Sequence, residues 1–192
     1  MKHSDIRNTL LSRTISVIAD QGFDGATTRA ITGTTGINDA YIYRCFKGKE
    51  DLMAEAFATV DEDICRVLNN HTDSKTVDLR AAFADLWCYF LNNPEKTRMY
   101  SRYWYSPYYQ WNSAERHRET YAPLMKKIQS LLINGANAEL LMRIVLCGMI
   151  TLALCVFDGS VPDNSKTAEE VGRLAYHAMC SYLRAPEEEN VL

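Results

Sequence analysis

The chain has 192 residues, of which 47% are apolar and 23% charged, the make-up of an ordinary folded protein. Nine glycines and five prolines exclude a collagen-like or disordered chain. The net charge of −3 is unevenly spread: residues 1–50 hold seven Lys/Arg against five Asp/Glu, and the remainder is acidic, so a polyanionic partner fits the head alone. The opening residues MKHSDIRNTLLS reach Arg13 without an apolar core and do not read as a signal peptide. The longest apolar run, Ile144 to Phe157, is short for a bilayer and is bracketed by Arg143 and Asp158. A soluble cytoplasmic protein with no membrane partner is expected. The six cysteines form no CxxC pair and no cluster with histidine, so they read as reduced, apolar-like thiols.

Apolar positions recur at helical spacing throughout, which predicts an all-α fold of about nine helices. Leu10, Leu11, Ile15, Val17 and Ile18 stripe a first helix that ends at Gly22. Thr27 caps a short second helix carrying Ile31, and Asn38 caps a short third helix through Ile42. The hydroxyls of Thr14, Thr32 and Thr35 are expected to bond back to helix carbonyls. Leu52, Ala56, Val60, Ile64 and Val67 mark a long fourth helix, and Leu79, Phe83, Leu86 and Phe90 a fifth. Asn93-Pro94 ends that helix and opens the next. Residues 106–113 read as a loop, and Asn112 with Glu115 resembles a capping box for a helix that Pro123 should kink or split. Leu140–Phe157 is apolar nearly all round and demands cover on several sides. Thr167 with Glu170 forms a second capping box for a last helix over about 168–184, and the acidic run Glu187–Glu189 is expected to fray.

The segment from Gly22 to Leu52, GFDGATTRAITGTTGINDAYIYRCFKGKEDL, is the informative part. Two short helices joined around Gly36 form a helix-turn-helix, whose second helix enters the major groove of DNA. Ile31, Ile37 and Ile42 pin the helices together and leave the other face of 38–44 polar or aromatic. The segment resembles the DNA-binding domain of the TetR family of bacterial transcriptional regulators. Gly22-Phe23, Thr27, Arg29, Ile31, Gly36-Ile37, Ile42-Tyr43, Phe46, Lys49-Glu50 and Leu52 carry the resemblance without a gap. Thr14, Thr32, Thr35, Asp39, Tyr41 and Cys45 depart from the family's usual residues, so no operator sequence follows from relatives.

The resemblance implies a helix-turn-helix domain over 1–48 and a helical ligand-binding and dimerisation domain over 49–192. It assigns phosphate contacts to Thr27, Tyr43 and Lys49, with Arg29 beside them. The Thr27 role also follows from the unpaired N–H groups of a helix start. Base reading falls to Asn38, Asp39, Ala40, Tyr41 and Arg44, by the hydrogen-bonding and methyl patterns of the major groove. One short recognition helix covers too few base pairs, so a homodimer on a palindromic double-stranded operator is expected, paired through the last two helices. Gly148, Thr151, Cys155, Ala168, Gly172 and Ala175 are small enough there for close approach.

Residues 100–111, YSRYWYSPYYQW, hold seven aromatics in a chain that averages 10%. An aromatic wall with a few hydroxyls suits a flat or apolar small molecule. The candidate effector-binding residues are Trp87, Tyr103, Trp104, Tyr121 and Met149. The expected function is therefore a repressor released from its operator by a small, largely apolar or aromatic effector. A helical protein-binding adaptor without DNA specificity is the alternative. No enzyme motif, metal-ligand spacing or cofactor fingerprint occurs. His117 with Glu115 and Glu119 reads as a surface cluster.

Overall fold

The computed structural model describes residues 3–72 and 77–183, and these form ten helices with no strand. The head is α1 (His3–Gly25), α2 (Thr28–Thr32) and α3 (Ala40–Cys45). The body is α4 (Lys49–Asn69), α5 (Leu79–Asn92), α6 (Pro94–Trp104), α7 (Pro107–Asn112), α8 (Ala114–Leu131), α9 (Ala138–Phe157) and α10 (Ser165–Cys180). The acidic run at 187–189 lies outside the described residues.

Local chemistry sets most boundaries. The Thr27 hydroxyl accepts from the Ala30 N–H, Asp78 caps α5 through Ala81, and Asn137 caps α9 through Leu140. Thr14 donates to the Leu10 carbonyl and Thr35 to Thr32, while the Thr32 hydroxyl is shared between the Thr28 carbonyl and Asp39. Gly22 takes φ 71°, the left-handed region open to glycine, and bends the end of α1 so that Phe23 reaches the rings of Tyr103 and Tyr108.

Four boundaries differ from the sequence reading. The stretch 106–113 contains α7, because Pro107 opens a turn and burial of Tyr109 holds it. The cap of α8 is Ser113 rather than Asn112, and its hydroxyl bonds the Tyr103 hydroxyl instead of a helix N–H. Pro123 neither ends nor splits α8: it sits on the exposed side, where water can reach the freed carbonyl, while buried Tyr121, Leu124 and Ile128 hold the helix on the other. The last helix starts earlier, since Asn164 accepts from the Thr167 N–H, and it ends at Cys180.

Helix α1 packs on α6 and α4, so the head is seated on the body and shares one buried cluster with it. Helix α10 covers α5, and α9 touches α5, α6, α8 and α10. At the centre Phe57 of α4 stacks on Tyr100 and Tyr103 of α6, with centroids 4.9 and 4.6 Å away, and meets Tyr109 edge-on.

Replacing Gly22 by Ala should destabilise the fold by about 1–2 kcal/mol through the left-handed penalty. An added Cβ would also stand 3.0 Å from Arg102 Nη1. Urea titration followed by circular dichroism reads the loss.

Candidate functional site

The head presents a polar face built on buried isoleucines. Ile31, Ile37 and Ile42 are buried, which fixes α2 against α3, and Gly36 turns the chain between them with φ 70°. Thr27, Arg29, Asn38, Asp39, Ala40, Tyr43 and Arg44 are exposed, while Tyr41 and Lys49 are half-buried. Tyr43 is 66% exposed, unusual for an aromatic that could pack inward. Arg44 lies over the Tyr41 ring, 4.9 Å from its centroid. Asn38 Oδ1 accepts from the Ala40 N–H at 2.9 Å, leaving its amide nitrogen toward solvent chemistry. Asp39 is engaged by a hydrogen bond from the Thr32 hydroxyl, so its carboxylate ties the recognition helix to α2. All nine DNA-side candidates thus fall on or beside one small unit.

The second site is a cavity of about 320 Å³ between α6, α8 and α9. Tyr100, Ser101, Trp104 and Tyr105 supply one wall, His117, Arg118, Tyr121 and Met125 a second, and Glu139, Met142, Arg143, Leu146, Cys147 and Ile150 a third. Of the residues expected there, Trp104 and Tyr121 line it. Trp87, Tyr103 and Met149 do not. Trp87 is buried in α5, which forms no wall, and its indole N–H has no hydrogen-bond partner among the described residues. Tyr103 faces the other side of α6, against Phe57, Phe23 and Ser113. Met149 is buried beside the lining of α9 without joining it.

His117 is not a surface residue, as the sequence had led us to expect. Its side chain is 12% exposed, and Nδ1 meets both carboxylate oxygens of Asp61 on α4 at 2.9 and 3.0 Å. The ring packs edge-on against Trp104 and tilted against Tyr121. Asp61 is buried, and also accepts from the Tyr100 hydroxyl at 2.9 Å; the Tyr121 hydroxyl donates to its backbone carbonyl. Burial pushes the hydroxyls of Tyr100 and Tyr121 well above the usual tyrosine range, so both remain donors. Burial, reinforced by Asp61, lifts Tyr109 to about 12 and the Cys65 thiol to about 11. Cys65 is therefore held as the unreactive thiol.

Beside this lies a three-helix ion cluster. Glu55 of α4 takes Arg7 of α1 at 2.7 Å and Arg116 of α8 at 2.6 Å, and Arg116 also reaches Glu62 at 2.8 Å. Adjacent residues of α8 thus do two things: Arg116 grips α4 from outside, and His117 joins α4 to the cavity wall. The sequence signal was present in Asp61, an acid four residues from Phe57 on the buried stripe of α4.

The outward side of α9 is apolar and bare. Leu140 and Ile144 are each 58% exposed, and Gly148, Thr151 and half-buried Cys155 continue the line. By length and composition α9 could cross a membrane, although only 28% of its apolar window is covered within the chain. On α10, Leu174 is 53% exposed and a Cβ added at Gly172 would meet open space, whereas Ala175 is buried in the chain's own core.

Residues 10–56 match the sequence model described as bacterial regulatory proteins, tetR family. No functionally curated protein matches the chain. Among solved structures, a TetR family transcription regulator from Marinobacter aquaeolei VT8 superposes with a TM-score of 0.72 at 23% identity, covering 93% of this chain and 98% of its own. A TetR-family transcriptional regulator from Haemophilus influenzae Rd does so with 0.67 at 17%, covering 91% and 96%. These are likenesses of fold over nearly the whole chain. The class is a helix-turn-helix, DNA-binding transcriptional regulator. The match to the tetR family model is confined to this head and the start of α4; beyond it the chain resembles the solved regulators in fold.

Burial acts to raise the Glu55 pKa, but the hydrogen bonds and charges of Arg7 and Arg116 outweigh it, and the net shift is downward. A carboxyl depressed on folding adds stability above its unfolded pKa, and that stability disappears as pH falls through the folded value. Glu55→Gln should therefore lower stability at pH 7 and flatten the acid limb of the pH–stability profile below about pH 4.5, measured by urea midpoints across pH.

Proposed function

We propose that the protein is a homodimeric repressor that holds a palindromic operator and is released from it by a small, largely apolar or aromatic effector. In this reading residues 1–48 form the DNA-binding head and 49–192 the sensing and pairing body. The observation that carries it is the position of α4. Its first residue, Lys49, adjoins the head, and its middle is bonded through Asp61 and Glu55 to the helix that lines the cavity.

On DNA, Thr27, Arg29, Tyr43 and Lys49 bind phosphate and set the register. Asn38, Ala40, Tyr41 and Arg44 face the base edges. Asp39, whose Oδ1 takes the Thr32 hydroxyl, holds the recognition helix in place and keeps its second oxygen for a cytosine N4. Two copies pair through the bare face of Leu140, Ile144 and Gly148 with Leu174, an apolar surface that water otherwise wets at a cost of roughly 25 cal/mol per Å². A filled cavity displaces α8, and the Arg116 and His117 links carry the movement into α4 and so alter the separation of the two heads. A fiftyfold loss of operator affinity requires only about 2–3 kcal/mol of coupling.

Selection of bound duplexes from a random pool should return a palindrome. Enrichment of no sequence, or binding that ignores salt, removes the reading. Lys49→Ala should weaken operator and random duplexes alike, whereas Asn38→Ala should cost about 1–3 kcal/mol at one base pair only, read by fluorescence titration. Sedimentation at micromolar concentration should show a dimer, and Ile144→Glu should shift it to monomer.

A further inference from the structure

We infer that the cavity is built for an organic anion, an aromatic or other apolar body ending in a carboxylate, and that Arg118 and Arg143 take the charged end. This rests on the cavity being the effector seat, and it adds the charge of the occupant.

The walls are chemically lopsided. The floor is apolar and aromatic, with Trp104, Tyr121, Met142 and Leu146, which suits a flat hydrocarbon body. The ionised side chains on the lining are two arginines and one carboxylate, Glu139. Glu139 only partly occupies its neighbour: its oxygen stands 3.7 Å from Arg143 Nη2, a loose pair on one exposed helix. Arg118 has no carboxylate within ion-pairing distance among the described residues. Both guanidiniums belong to the lining of the same cavity, Arg118 from α8 and Arg143 from α9. A guanidinium offers a carboxylate a planar, two-pronged contact that an amide or an ammonium does not reproduce.

Aromatic walls also attract cations, but the face of Trp104 is already taken. Arg143 lies over that ring, 5.3 Å from its centroid, so an incoming cation would have to expel one already seated. Nor does the acid behind the wall change the balance. Asp61 does not line the cavity, and its oxygens are spent on Tyr100 and His117 Nδ1. His117 Nδ1 faces α4, where it meets Asp61.

Calorimetric titration of the purified full chain at pH 7 with three ligands of one skeleton decides the matter: 2-naphthoate, 2-naphthamide and 2-naphthylmethylammonium. The carboxylate should bind at least about tenfold more tightly than either of the others, a factor within reach of one charge-assisted contact. Arg118→Gln and Arg143→Gln, both at exposed positions, should each reduce that preference about tenfold, read as the ratio of acid to amide affinity. Equal affinity for acid and amide, or tighter binding of the ammonium, overturns the charge assignment and leaves an apolar effector standing. Failure of all three to bind at millimolar concentration, while the chain still binds DNA, overturns both the charge assignment and the cavity as effector seat.

Discussion

A buried carboxylate organises the body. Asp61 lies 2% exposed on α4 in surroundings that are otherwise aromatic, where an unpaired charge is costly by several kcal/mol. Its partners come from separate helices: Tyr100 from α6 and His117 from α8, while Tyr121 of α8 reaches the adjoining carbonyl. Satisfying that one group fixes the angle at which α6 and α8 stand to α4. The space left between α6, α8 and α9 is the cavity. Phe57, one turn earlier, adds the apolar counterpart by stacking between Tyr100 and Tyr103.

The same few residues link the two ends of the molecule by direct contacts. Arg116 and His117 are consecutive, so any rotation of α8 strains both the Glu55 pair and the Asp61 pair. Glu55 in turn holds Arg7 of α1. The head is seated on the body through α1 on α6 as well, including the Ser16 hydroxyl bonded to Glu95 at 2.6 Å. The cavity wall and the seat of the head therefore share α6, while α8 reaches α1 through Glu55 of α4.

Much of the head was legible in the sequence because its determinants are local. Thr27, Gly36 and the three isoleucines act within a few residues of one another, and the threonine back-bonds are formed within single turns. The cavity was legible only in part. Composition identified the aromatic segment, and Trp104 and Tyr121 do face the space, but composition says nothing about which side of α6 looks inward. Tyr103 looks toward Phe57 instead, and Trp87 belongs to a helix outside the walls. His117 was read against Glu115 and Glu119, its neighbours in sequence, whereas its partner is 56 residues away. Pro123 was weighed as a breaker because its exposure could not be known before Tyr121 and Leu124 were seen to be buried.

Helix α9 faces two ways at once. Met142, Leu146 and Ile150 look into the cavity, and Leu140, Ile144 and Gly148 look out of the chain, each outer residue two positions from an inner one. Natural variation that retunes the inner row must pass through a helix whose outer row has its own fit to keep. In the function proposed above, chemical taste and choice of companion would be inherited together on one rod, so lineages that drift toward a new signal would tend to stop mixing subunits with their cousins.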